Sequence, residues 1–142
     1  MTVVIDSNII ASLILPASYT PQSTQLLVSL NEAGESLIAP LLFEYEIVSI
    51  VQRAVASNLL GKARASEALT RLLNSNIVTI PPSSSLHQEA LRIAERLGQS
   101  KAYDAQYLAL ASRENAPLWT ADLRLVRAAQ AAGFGWVHWI GE

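Results

Sequence analysis

The sequence predicts an α/β fold, a parallel sheet covered on both faces by helices. Three observations carry this expectation. Short β-branched and apolar runs alternate with longer segments of helical spacing. The runs are apolar throughout instead of alternating, as strands buried on both faces require. More than one helical segment lies between some of the runs, which suits the long crossovers of parallel strands.

The chain opens on MTVVIDSNII. Val3, Val4 and Ile5 read as the first strand, and Asp6 follows where it should end. Ser7 and Asn8 are turn and cap residues, and an apolar helix is expected from Ile9 to Leu15. Residues 16–21, PASYTP, read as a loop bounded by two prolines. Gln22 to Ala33 carries apolar residues at 26, 27, 30 and 33, a helical spacing that Gly34 should stop. Leu37 to Ala39 read as a short buried strand. Pro40 should open a long helix through LLFEYEIVSIVQRAVAS, and Asn58 to Gly61 should break it. Lys62 to Asn74 is amphipathic, with Ala65, Leu69, Leu72 and Leu73 on its buried side. Ile77 to Ile80 form a third strand closed by Pro81 and Pro82. Ser84 or Ser85 should cap a helix to Leu97, with Gly98 as its stop. Ala102 to Arg113 is another apolar helix, and Leu118 and Trp119 a strand. A helix from Ala121 to Ala132 should end at Gly133, and Trp136 to Ile140 should form the last strand.

No repeat, low-complexity tract or dividing linker interrupts this order, so residues 1–142 are expected to form a single domain. The absence of cysteine excludes a disulfide framework and a thiolate metal site. No apolar run reaches the roughly 18 residues of a membrane span, and the N-terminal stretch lacks the basic leader of a signal peptide. The cytoplasm is the expected compartment. Charged residues make up only 15% against 51% hydrophobic, a surface poor enough in charge to expect a partner over part of it. The net charge is −2, yet every Lys and Arg lies at or after Arg53. Setting four of the twelve acids aside around cations leaves ten basic residues against eight acidic ones, a balance compatible with a polyanionic substrate.

Four acids stand out. Asp6, Asp104 in SKAYDAQYLALA and Asp122 in PLWTADLRLV each sit where a helix leaves the sheet or its edge. Thr120 is placed to cap the helix that carries Asp122 in its first turn. Glu46 lies inside an apolar helix, between Leu42 and Ile50, with Ser49 and Arg53 continuing its face. Each has an ordinary alternative: a helix-start acid favoured by the macrodipole, or a Glu46–Arg53 ion pair. Together they are expected to converge at the carboxyl end of a parallel sheet, where ligands bind. Four carboxylates in one cleft repel unless cations neutralise them. An all-oxygen set selects Mg²⁺ or Mn²⁺, the cations of phosphoryl chemistry. His87 and His138 are left outside the site, and the tryptophans are read as core or interface.

At these segments the chain resembles the PIN-domain ribonucleases, and among them the VapC-type toxins of bacterial and archaeal toxin–antitoxin pairs. VVIDSNII is similar to the family's opening strand with its first acid and the polar pair after it. APLLFEYEIVSIVQR resembles the segment carrying the second acid, which falls on Glu46 and not Glu44. YDAQYLALA resembles the third block, at Asp104, and LWTADLRL the fourth, with Thr120 and Asp122. The resemblance covers nearly the full length. It implies a PIN-like α/β/α sandwich with a central parallel sheet of about five strands. It also implies Mg²⁺- or Mn²⁺-dependent cleavage of single-stranded RNA, a homodimer, and neutralisation by a cognate antitoxin. On this reading Asp6, Glu46, Asp104 and Asp122 form the metal and catalytic site, with Ser7, Asn8 and Thr120 in support. Lys101, Arg124 and Arg53 are the candidates for contact with RNA phosphate. A non-catalytic PIN scaffold that binds RNA or a protein is the alternative. A dehalogenase-type phosphatase, which wants an acid where Asn8 stands, and a phospho-receiver, which wants an acidic pair at the end of its first strand, both fit poorly.

Overall fold

The computed structural model describes residues 1–142. Five parallel strands, β1 (Thr2–Ile5), β2 (Ser36–Pro40), β3 (Val78–Ile80), β4 (Leu118–Thr120) and β5 (Val137–Trp139), form one sheet in the order β3-β2-β1-β4-β5. The expected parallel α/β architecture is therefore the one adopted. Seven helices connect the strands: α1 (Ser7–Ala11), α2 (Thr20–Glu32), α3 (Leu42–Ala56), α4 (Lys62–Leu73), α5 (Ser84–Arg96), α6 (Tyr103–Glu114) and α7 (Leu123–Ala131).

β1 is the central strand because it can be buried on both faces. Val3, Val4 and Ile5 are at most 2% exposed. Val4 pairs with Ile38 of β2 on one side and with Leu118 of β4 on the other. The chain winds outward from β1 to β3, then crosses back to β4 and continues to β5. With right-handed crossovers, α1 to α4 cover one face and α5 to α7 the other. α6 lies across β1, β2 and β4 and packs on α5, while α3 packs on α1 and α4. Tyr107, Leu108 and Leu110 of α6 are no more than 1% exposed, which accounts for its nearly unbroken apolar sequence. No helix is long and apolar enough to cross a membrane.

Several boundaries differ from the sequence reading. The first helix ends at Ala11 and not at Leu15. Ser12 Oγ donates to the Ile9 carbonyl at 2.7 Å, and the Ser12 carbonyl accepts from Thr20 Oγ1 at 2.9 Å, so the chain turns there. The second helix begins at Thr20, with Pro21 in its first turn, two residues before the expected Gln22. Pro40 ends β2 in register with Ile80 instead of opening α3. The cap of α5 is Ser83, whose hydroxyl accepts from the Leu86 N–H at 3.2 Å, and neither Ser84 nor Ser85. β5 is shorter than expected, three residues at the sheet edge. Gly34 and Gly98 do act as stops, at φ of +71° and +66°, a conformation that costs glycine nothing.

Candidate acidic active site

The order β3-β2-β1-β4-β5 places the topological switch beside β1, at the crevice where ligands bind in open parallel sheets. Asp6 stands at its carboxyl end. It is the first residue beyond β1 and occupies the N-cap position of α1, yet its carboxylate does not cap that helix. Thr120 Oγ1, at the end of β4, donates to Asp6 Oδ2 at 2.8 Å. Ser7 Oγ lies 3.4 Å from Asp6 Oδ1 and 3.3 Å from Glu46 Oε1, so one hydroxyl proton serves two acids on different elements. Asp6 and Ser7 are buried, and Thr120 is 0% exposed.

Thr120 is more than a helix cap. Its oxygen also accepts from Asn8 Nδ2 at 3.3 Å and from the Asp122 N–H at 3.1 Å. Asn8 Oδ1 takes the Ala121 N–H at 3.2 Å. These bonds tie the exit of β4 to the start of α1. Capping falls to Asp122 itself, whose Oδ1 accepts from the N–H groups of Arg124 and Leu125 at 3.0 and 3.2 Å. This corrects the placement of Asp122 in the first turn behind a Thr120 cap. It also leaves Oδ2 as the Asp122 oxygen without a protein donor.

Glu46 reaches the site from the opposite side of β1, on α3. It does not pair with Arg53. Its Oε1 accepts the phenol proton of Tyr107 at 2.5 Å. Tyr107 has no part in the sequence reading. A signal for it exists, because it lies three residues after Asp104 and so on the same helix face. Ser49, which continues the helix face of Glu46, is exposed and makes no hydrogen bond to it. Asp104 lies half-buried in the first turn of α6.

The electrostatics link the four carboxylates in a chain. Burial raises the Asp6 carboxyl, the Thr120 hydroxyl draws it partly back, and the charges of Glu46 and Asp104 lift it again, to about 7. Burial also raises Glu46, opposed by the Tyr107 and Ser7 hydroxyls and assisted by Asp104. Asp104 is raised by burial and by the charge of Asp122. Burial pushes the Tyr107 phenol upward too, so it remains a proton donor at neutral pH. No Lys or Arg forms an ion pair with any of the four; the ion pairs of the chain lie elsewhere. Negative charge gathered at a strand end without a protein counter-ion calls for a cation from solution.

The donor chemistry fits a hard divalent ion. All groups are oxygen, His87 is bonded to Gln106, and His138 stacks on Trp119 with centroids 5.0 Å apart. The spacing is open, and no three His, Asp or Glu side chains are grouped closely enough to hold a metal ion by themselves. Mg²⁺ tolerates this, because it keeps several waters and takes one or two carboxylates directly.

A sequence model of the PIN domain matches residues 3–131. The chain belongs to the PIN-domain family. Among its relatives, ribonuclease VapC9 of Mycobacterium tuberculosis is 39% identical over 99 residues, which span 70% of this chain and 75% of that protein. A VapC ribonuclease of Mycobacterium bovis matches to the same extent. The PIN fold also superposes on a chain of a toxin–antitoxin complex from Klebsiella pneumoniae, with a TM-score of 0.68, 17% identity and 97% of each chain covered. For VapBC2 from Rickettsia felis bound to a promoter DNA fragment, the TM-score is 0.65 at 17% identity, over 90% of this chain and 93% of that one.

Proposed function

We propose that this PIN-domain protein is a divalent-metal-dependent endoribonuclease of the VapC type, acting in the cytoplasm and held inactive by a cognate antitoxin. One observation carries the reading: Asp6, Glu46, Asp104 and Asp122, from four separate segments, are linked pair by pair through their charges near the switch point of the sheet, and none is paired with a basic side chain. The VapC ribonuclease relatives support the choice of RNA, and the toxin–antitoxin complexes of the same fold support the antitoxin.

Asp6 and Asp104 would hold Mg²⁺ or Mn²⁺ directly. Glu46, anchored by Tyr107, and Asp122, anchored by backbone N–H groups, would offer their remaining oxygens through water or to a second ion. Ser7 and Thr120 hold the carboxylates by hydrogen bonds and Asn8 holds Thr120, a supporting role whose loss typically costs about 10–100-fold in activity. When bound, the ion polarises the scissile phosphate and lowers the pKa of an attacking water. Arg53 lines the hollow beside Glu46, while Lys101 and Arg124 are exposed at the starts of α6 and α7. None of the three forms an ion pair, so all can meet RNA phosphates. Val28 and Val48, about half exposed, leave apolar helix surface for a two-fold dimer, which light scattering would register.

The deciding measurement is cleavage of single-stranded RNA by the purified chain with Mg²⁺, with Mn²⁺ and with chelator. Cleavage with either ion and none in chelator is expected. RNA that is bound but never cut would replace this reading with a binding scaffold. Mg²⁺ should also raise the melting temperature, because it binds the folded cluster and not the unfolded chain.

Tyr107→Phe tests the Glu46 anchor. The phenol hydrogen bond lowers the Glu46 pKa, so its loss should raise that pKa further and move the acid limb of the rate profile to higher pH. The rate at optimum should fall roughly tenfold. An unchanged profile would show that Tyr107 does not position Glu46.

A further inference from the structure

Beside the acids lies a second feature that the metal site does not use. The N-terminal turns of α3 and α6, together with α5, enclose a mostly apolar cleft of about 320 Å³. Leu42, Tyr45, Leu86 and Tyr103 supply apolar lining, and Gln106 and His87 supply polar groups. Leu42, Tyr45 and Tyr103 also line a second hollow, of about 340 Å³, that contains Glu46 and Arg53. The two spaces therefore share a wall, and the apolar cleft adjoins the hollow that Glu46 and Arg53 line.

The sharing follows from the chain. Tyr45 directly precedes Glu46, and Tyr103 directly precedes Asp104. Neighbours on a helix point about 100° apart, so each acid turned toward the sheet leaves a tyrosine on the rim beside it. Both tyrosines are largely in solvent, Tyr45 at 68% and Tyr103 at 62% exposed. Neither phenol makes a hydrogen bond; the tyrosine hydroxyls engaged in this way are those of Tyr19 and Tyr107. Core packing therefore does not account for either ring. Gln106 Nε2 and His87 Nδ1 lie 3.1 Å apart, which leaves the Gln106 carbonyl and the far nitrogen of His87 for another partner.

We propose that this cleft is a nucleobase pocket, holding one unpaired base of the RNA next to the scissile phosphate. The proposal rests on the ribonuclease reading and deepens it. An unpaired base has flat apolar faces and a hydrogen-bonding edge. Exposed tyrosine rings accept the faces, and the Gln106–His87 pair meets the edge. The cleft has the size and the mostly apolar lining with few polar groups that small-ligand sites show. The wall it shares with the hollow of Glu46 is what commits it to substrate. A base seated there keeps its own phosphate within the hollow that Glu46 and Arg53 line.

The test uses a short unstructured oligoribonucleotide and a set of copies, each lacking one base at a different position. Binding is measured by anisotropy in the Asp104→Asn background, which leaves the RNA uncut, and cleavage is measured with the wild-type chain. One position near the cut should lose affinity about tenfold when its base is removed, the scale of one base stack. Tyr45→Ala and Tyr103→Ala should each weaken the intact RNA about as much and become indifferent to the missing base, whereas Tyr→Phe should restore it. In cleavage, the alanine variants should raise KM while kcat holds. A chain that cuts RNA but binds every abasic copy alike overturns the pocket and keeps the nuclease. A chain that shows the single-position loss but cuts nothing keeps the pocket and overturns the nuclease. Alanine variants that change the molecular mass in light scattering, with no abasic pattern, would make the cleft an interface between copies and overturn the proposal.

Discussion

Asp6→Asn is expected to stabilise the metal-free protein and to abolish cleavage. The folded carboxyl is raised to about 7, against 3.8 for the ordinary side chain. Between those values the folded state holds a proton that the unfolded state has released. Stability therefore falls as pH rises from about 4 to about 7, and the whole cost is present above that. A shift of this size corresponds to a few kcal/mol. Asparagine carries no charge and escapes that cost. In chelator at pH 8 the variant should melt roughly 5 °C or more above the wild type, and at pH 4 the two should converge. Mg²⁺ should narrow the gap from the wild-type side. RNA cleavage should drop at least about 100-fold, since even an indirect partner of a metal costs up to that much. Thermal melts at the two pH values decide the matter. A variant that melts lower than wild type at pH 8 would remove charge repulsion from the account of this site.

Thr120→Val is expected to do the reverse to stability while also impairing cleavage. The two side chains have nearly the same shape, so packing is preserved and only the hydroxyl is lost. Its loss withdraws the donor to Asp6 and the acceptor of Asn8 Nδ2 and of the Asp122 N–H. Leaving buried polar groups without partners should cost about 3 kcal/mol in denaturant unfolding. The Asp6 carboxyl should rise further, because the bond that lowers it is gone. Thr120→Ser keeps the hydroxyl and should recover most of both effects. A valine variant within about 0.5 kcal/mol of wild type, the range of an ordinary surface change, would show that the Thr120 network is incidental.

These outcomes also mark what the sequence makes legible. Asp6 can be read in advance because an acid after a β-branched run has few ordinary roles. Asp104 can be read because its helix is otherwise apolar and must lie on the sheet. The periodicity yields every strand and helix, because a strand in the middle of the sheet is buried on both faces and a covering helix on one. What it does not yield depends on contacts between distant residues. Thr120 and Asp122 are both cap-forming types two residues apart, and only the arrival of Asn8 and Asp6 determines which of them caps. Tyr107 reads as core because its ring is core; its hydroxyl acquires a role only when α3 brings Glu46 to it. The early end of α1 likewise depends on Thr20, eight residues further on.

The position of β1 sets the order in which the acidic site is completed. β1 is made before the other four strands of its sheet, yet it lies at the middle of it. One of its edges is covered as soon as β2 is made. The other waits for Leu118 and Trp119, and with them for Thr120 and Asp122. A chain still in synthesis can bring Asp6 and Glu46 together but cannot lock Asp6 in place or supply the fourth acid. The acidic cluster is thus completed only when β4 joins the sheet, and a chain that stops before Leu118 lacks both the lock on Asp6 and the fourth acid.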